Sequence, residues 1–315
     1  MKNTAIKRSN FVRLMLTGAL SAPFAAQRAT AAPGAPRKLV LIAGRPSHGP
    51  GLHEFRAGNI LLEKRLQAVP GLRVELHDQG WVRDEATFAD ADAVVIFCDG
   101  GKGHPAVQDG RLGLLQKLVQ RGAGIGMMHY GVEVLAEKGG AEFRRWIGGH
   151  YEHQYSCNPI WEAAFERFPD HPIARGLKPF SIRDEWYFNM RFAEGFDATG
   201  PKTIDGVKFT PVLVAKPSDA TRDGPYVYPK GPYPHIQEAK GRPEATLWAV
   251  ERPDGGRGFG FTGAHFHKNW QQDDFRKTIL NALCWVSKVE VPAGGIASAV
   301  VNDEELMQNL DPKRK

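Results

Sequence analysis

The chain has 315 residues, 42% hydrophobic and 24% charged, a balance that excludes wholesale disorder. Its net charge of +6 is concentrated at the N-terminus: residues 1–32 hold five of the 41 Lys and Arg and none of the 35 Asp and Glu. The remainder is nearly neutral and shows no basic stripe with interleaved aromatics, so no nucleic acid is expected as a partner.

Residues 1–32 read as an export signal. Lys2, Lys7, Arg8 and Arg13 form a basic front, residues 14–26 are apolar, and Ala29-Thr30-Ala31 is a small-x-small cleavage site. Arg8-Ser9-Asn10-Phe11 approaches a twin-arginine signal but has Ser9 in the second arginine's place, so the export route stays open. The expected location is periplasmic or extracellular. No later run approaches the ~20 apolar residues of a membrane helix. A short linker, 33–37, leads into the folded part.

Residues 38–44 (KLVLIAG) are a continuous apolar run ending in glycine, which suits a strand buried on both faces. Phe55, Leu62 and Leu66 have helical spacing and predict a helix over 52–68. Strands are expected at 72–76, 93–98 and 124–128, with a helix carrying Leu112, Leu115 and Val119. Strand, loop and helix in repetition predict an α/β, flavodoxin-like, mostly parallel sheet with helices on both faces. Further strands are expected at 160–165, 184–188, 211–215, 245–251 and 257–263. The last two flank Pro253-Asp254-Gly255-Gly256, which predicts an added antiparallel hairpin. Residues 216–243, rich in Pro, Gly and Tyr, read as a long surface excursion. Phe275, Ile279, Leu283 and Val286 predict a closing helix, and 293–315 a loosely attached tail whose final Lys313-Arg314-Lys315 is solvated. The three cysteines, Cys98, Cys157 and Cys284, have irregular spacing and form neither a disulfide framework nor a zinc ribbon.

Function in such a sheet gathers beyond the carboxyl ends of the strands. There the chain places Ser47, His48, His53 and Glu54, then Asp99, Gly100, Gly101 and His104, then His129 and Tyr130. Eleven histidines are present, several beside glycine, where a backbone can approach a ligand closely. Gly-Ile-Gly-Met-Met running into His129-Tyr130-Gly131 predicts a sharp strand-to-helix turn of the kind that presents a nucleophile, but the tip offers neither Ser nor Cys. An imidazole there suits a base, an acid or a metal ligand and argues against Cys-hydrolase chemistry. His150 and His153, three apart, are a possible metal pair, and His48 and His53 either bind sugar or complete a metal site. If Asp184-Glu185 is strand-like, only one of the two carboxylates enters the site, and Glu185 is the expected one. Trp161, Trp186, Tyr187, Trp270 and the tyrosines at 226, 228 and 233 are read as core or as platforms for sugar rings.

The chain resembles the trehalose-utilisation (ThuA-like) family within the class I glutamine-amidotransferase-like fold, from about Arg37 to Pro292. The resemblance rests on residues 47–55 (SHGPGLHEF), Asp99-Gly100-Gly101, His129-Tyr130-Gly131, residues 147–151 (IGGHY), His171-Pro172-Ile173, Asp184-Glu185-Trp186-Tyr187 and residues 258–265 (GFGFTGAH). It implies a flavodoxin-like sheet without the amidotransferase cysteine and a role in disaccharide breakdown, through 3-keto-sugars. The expected activity is cleavage of a glycosidic bond by His129 and His265 as base and acid, with Glu185 orienting one of them. Substrate contacts are expected from His48, His53, Asp99, the Gly100-Gly101 amides, Tyr130 and Trp186, with a divalent metal such as Zn²⁺ as an optional cofactor. A non-catalytic carbohydrate-binding protein and a metal-dependent amide hydrolase are the alternatives.

Overall fold

A computed structural model describes Met1 and residues 34–313. The expected signal, apart from Met1, and Arg314-Lys315 therefore lie outside the described residues. Residues 34–313 fall within one unit, Ala31–Lys315.

In chain order the elements of the first half are β1 (Arg37–Ala43), α1 (Phe55–Leu66), β2 (Leu72–His77), β3 (Ala93–Phe97), α2 (Arg111–Gln120), β4 (Gly124–Met128) and α3 (Gly140–Ile147). The second half adds β5 (Gly149–His150), β6 (Ile160–Phe165), β7 (Phe180–Glu185), β8 (Arg191–Phe192), β9 (Lys202–Ile204) and β10 (Val207–Ala215). It closes with α4 (Asp219–Asp223), α5 (Pro234–Gln237), β11 (Glu244–Glu251), β12 (Arg257–Phe261), α6 (Asp273–Val286) and α7 (Asp303–Leu306).

Eight strands form the central sheet in the order β2-β1-β3-β4-β12-β11-β10-β9. The five from β2 to β12 are parallel, and β11, β10 and β9 continue antiparallel. This is the expected mixed α/β architecture, including the hairpin, where Glu251 pairs with Arg257 across the Pro-Asp-Gly-Gly turn. Alternate residues of the inner strands feed two cores. Leu39, Leu41, Val95 and Phe97 pack with α1 and α6, while Val40, Ile42, Val94 and Ile96 pack with α2 and α3. Strands buried on both faces need apolar residues throughout, which explains the unbroken runs in the sequence. Among the described residues, no helix is long and apolar enough to cross a membrane.

Three expectations are corrected. The strand expected at 184–188 is β7, which ends at Glu185; Trp186 instead turns into the core beside Phe165, Phe261 and Phe275. The turn after β4 is a short 3₁₀ turn, His129–Val132, and not the start of an α-helix. The C-terminal segment is not loosely attached. Ile296, Val301 and Leu306 are buried in the core that contains α1 and α6. Glu305 grips Arg65 of α1 with two bonds, 2.8 and 2.6 Å long, and takes a third from Lys64 at 2.7 Å. Lys313 is not solvated: its ammonium lies 3.2 Å from Glu54 Oε1 and also bonds the Leu52 carbonyl. Glu305→Ala would leave the buried Arg65 guanidinium short of its acceptor. It is expected to cost about 2 kcal/mol, read as a lower urea midpoint at unchanged slope.

Candidate metal centre

The carboxyl ends of four neighbouring parallel strands supply most of the site. The loop after β1 carries His48 and His53. The turn after β3 carries Asp99, β4 delivers His129, and the loop after β12 carries His265. The acid comes from elsewhere: Glu185 is the last residue of β7, in a two-stranded hairpin outside the main sheet. Its neighbour Asp184 points the other way. It accepts hydrogen bonds from the backbone N–H groups of Ala264 (2.7 Å) and His265 (3.1 Å), and so fixes the loop that carries His265.

His53, His129, Glu185 and His265 are all buried, and one ligand atom from each lies within 4.8 Å of every other. His53 Nε2 is 2.9 Å from His265 Nδ1 and 3.1 Å from His129 Nε2. Glu185 Oε2 is 2.6 Å from His265 Nδ1 and 3.6 Å from His129 Nε2. The opposite ring nitrogens decide the tautomers. His129 Nδ1 faces the Thr262 carbonyl at 2.9 Å, and His53 Nδ1 faces Asp99 Oδ1 at 3.0 Å. A carbonyl and a carboxylate accept, so both Nδ1 atoms carry the hydrogen and both Nε2 atoms are left as lone pairs. Two lone pairs aimed at each other across 3.1 Å repel unless a cation lies between them.

A proton fits this role poorly. Burial, reinforced by the neighbouring imidazoles, pushes both His53 and His129 far below the usual histidine range, so both are neutral at neutral pH. A divalent metal fits well. Tetrahedral donors at ~2.05 Å stand about 3.3 Å apart, close to the spacings found here. Three of the four ligands also have the outer partner that metal ligands need for orientation. Asp99 holds His53, the Thr262 carbonyl holds His129, and Asn158 Nδ2 donates to Glu185 Oε1 at 2.9 Å. Three imidazoles and a carboxylate suit Zn²⁺, Mn²⁺ or Fe²⁺ rather than a soft monovalent ion.

The backbone is strained around this point. His48, His53 and His129 have φ of 58°, 48° and 52°, and Ala264 has 84°. Left-handed conformations cost non-glycine residues about 1–2 kcal/mol each and concentrate at functional sites. His104 supports the strained turn: it takes the Ala106 N–H on Nδ1 at 3.0 Å, so its Nε2–H donates to the Gly131 carbonyl at 2.9 Å.

On the open side, His48 stacks on His53 with ring centroids 3.6 Å apart. Its Nδ1 is 2.9 Å from Ser47 Oγ and 3.6 Å from Asp99 Oδ1. Burial lowers the His48 pKa, against the pull of Asp99, and raises that of Asp99. Tyr130 forms the wall beside His48 and His53. Glu133 lies near Tyr130, since a Cβ on Gly101 would be 3.6 Å from Glu133 Oε1 and 3.8 Å from the Tyr130 hydroxyl; burial and the charge of Glu185 push its carboxyl up to about 8.

The structure thus brings His48, His53, Asp99, His129, Tyr130, Glu185 and His265 together. It does not bring in His150, His153 or Trp186. His150 pairs in β5 with Arg191, and its nearest carboxylate is Glu152 at 3.8 Å. His153 is exposed and its ring lies against Tyr228. Trp186 is fully buried and donates to the Ile182 carbonyl, so it is core and no sugar platform. The Gly101 amide, expected to hold a substrate hydroxyl, already donates to the Glu133 carbonyl at 3.0 Å. Gly100 serves packing, since a Cβ there would lie 2.2 Å from the Tyr130 carbonyl oxygen. Glu133, Asn158 and Thr262 were not legible as site residues. Two act through side chains common on any surface and the third through its backbone.

A family model described as trehalose utilisation, ThuA, matches residues 53–286. Two solved structures of similar fold are ThuA-like proteins. One, from Parabacteroides merdae, is 17% identical with a TM-score of 0.53, covering 85% of this chain and 94% of its own. The other, from Bacteroides uniformis, is 13% identical with a TM-score of 0.54, covering 82% and 94%. No functionally curated protein matches the sequence.

Metal binding is expected at one ion per chain, measured by elemental analysis after loading and desalting. His129→Ala should lower affinity by at least about 10-fold. Loading should raise the melting temperature of the parent chain and leave that of the variant nearly unchanged.

Proposed function

Because the chain belongs to the ThuA family of trehalose utilisation, we propose that it is a metal-dependent enzyme that cleaves the glycosidic bond of a 3-keto-disaccharide. The observation that carries this reading is the pair of facing lone pairs on His53 and His129, closed by His265 and Glu185. These four side chains would hold the ion. His129 and His265 are therefore ligands, and not the acid and base that the sequence suggested. A divalent ion at this point supplies Lewis acidity toward a carbonyl oxygen.

Proton transfer falls to the open side. A ketone at C3 acidifies the neighbouring C–H. His48, kept neutral by burial, accepts that proton, with Asp99 and Ser47 beside its Nδ1. The electrons of the broken C–H bond form a C–C double bond, and the glycosidic C–O bond breaks. Glu133, protonated at neutral pH, gives its proton to the departing oxygen. An acid with a raised pKa and a base with a lowered one are the pairing that such a reaction needs near neutrality.

The test is turnover of a 3-keto-disaccharide by metal-loaded protein. Release of a monosaccharide that stops with chelator and returns with metal is expected. Saturable binding without turnover would instead identify a carbohydrate-binding protein. His48→Ala and Glu133→Gln should each reduce kcat by about 10²-fold or more while retaining the metal. The pH profile has a definite sign. Glu133 is an acid only while protonated, so the rate should fall as pH rises through about 8. A rate that keeps rising beyond that point would remove Glu133 from the role.

The reading includes action outside the cytoplasm, since residues 1–32 have the basic, apolar and small-residue order of a leader. Protein recovered from the periplasm or medium should begin near Pro33; a start at Met1 or Lys2 would refute export by cleavage.

A further inference from the structure

The long excursion over residues 216–243 is anchored, and its anchor leads to the metal centre. Tyr226 is buried and its hydroxyl donates to the Arg222 carbonyl at 2.6 Å. Tyr233 and His235 stack at 7° between ring planes, and His235 stacks in turn on Tyr155 at 12°. Arg191 covers the far face of that ladder, 3.3 Å from the Tyr155 ring centre. A segment tied down in this way would be expected to bury its aromatics, yet Tyr228 is 71% exposed.

The backbone at Tyr228 is fixed by Asn158. The Val227 N–H donates to the Asn158 carbonyl at 3.3 Å, and the Tyr228 N–H donates to Asn158 Oδ1 at 3.2 Å. The other end of the same amide group donates to Glu185 Oε1 at 2.9 Å. One side-chain amide therefore separates the Tyr228 backbone from a proposed metal ligand. The Tyr228 ring rests on His153 at 6.0 Å.

We propose that Tyr228 is the platform on which the second ring of a disaccharide stacks while the first ring occupies the metal centre. The chemistry is that of an exposed aromatic face whose backbone is pinned, through Asn158, beside a proposed metal ligand. It offers apolar contact to the C–H face of a pyranose and leaves the sugar hydroxyls in water. Tyr228 sets specificity for two-ring over one-ring substrates and takes no part in proton transfer. This inference rests on the carbohydrate reading above.

The probes are trehalose and glucose, titrated by calorimetry into metal-loaded protein. Wild type is expected to bind trehalose about 10-fold more tightly than glucose, as one good stacking contact of ~1.4 kcal/mol would give. Tyr228→Ala should abolish that preference without changing glucose affinity or metal content, and Tyr228→Trp should keep it. An unchanged preference in Tyr228→Ala, or equal loss of both sugars, overturns the inference and leaves the carbohydrate reading standing. Wild type that binds neither sugar overturns this inference, and the carbohydrate reading then stands or falls on turnover of a 3-keto-disaccharide, whose C3 ketone neither probe carries. A trehalose preference that depends on Tyr228, found with no turnover of 3-keto-sugars, supports this inference and refutes only catalysis.

Discussion

Two neutral imidazoles point their lone pairs at one spot, and the surrounding structure is arranged so that they cannot turn away. His129 is committed by the Thr262 carbonyl and His53 by Asp99. Rotating either ring would strand a buried N–H, at a cost of about 1–3 kcal/mol. Protonating either would place a charge where burial and the neighbouring imidazoles strongly disfavour it. A cation shared with Glu185 and His265 relieves the repulsion and balances the buried carboxylate in one step. The left-handed backbone at three of the histidines belongs to the same constraint, because a relaxed backbone would aim those rings elsewhere.

The carboxylate shows how few residues such a centre needs from outside the main sheet. Asp184 and Glu185 are adjacent and point to opposite sides of β7. Asp184 locks the loop that presents His265, and Glu185 meets the His265 ring. One hairpin end therefore both positions a ligand and supplies one. The chain's C-terminus contributes a similar support behind His53. Glu54 accepts from the Gly51 and Asp311 N–H groups and pairs with Lys313, closing the loop in which His53 sits.

The division between the two sides of the site follows from burial. The four inner donors are nearly inaccessible, which suits groups that hold an ion and exchange nothing with solvent. His48, Asp99, Tyr130 and Glu133 are reached from outside, which suits groups that must meet a substrate. The sugar-cleaving reading uses this separation: inner groups bind, outer groups move protons.

The sequence alone determined the scaffold. Apolar runs ending in glycine gave the parallel strands, since a strand buried on both faces tolerates little else. The alternation rule allowed only one of Asp184 and Glu185 into the site once a strand was assumed, without deciding which. Histidine beside glycine at the strand tips marked the region of the site. The tertiary structure decided the rest. It gathered the buried His53, His129 and His265 apart from the accessible His48, among histidines that look alike in sequence, and it fixed the tautomers of His53 and His129 through partners 46 and 133 positions away. It excluded His150 and His153, whose spacing carried no information about direction, and returned Trp186 to the core. It added Glu133 and Asn158, whose roles come from burial and from contacts across the chain, which no local pattern records.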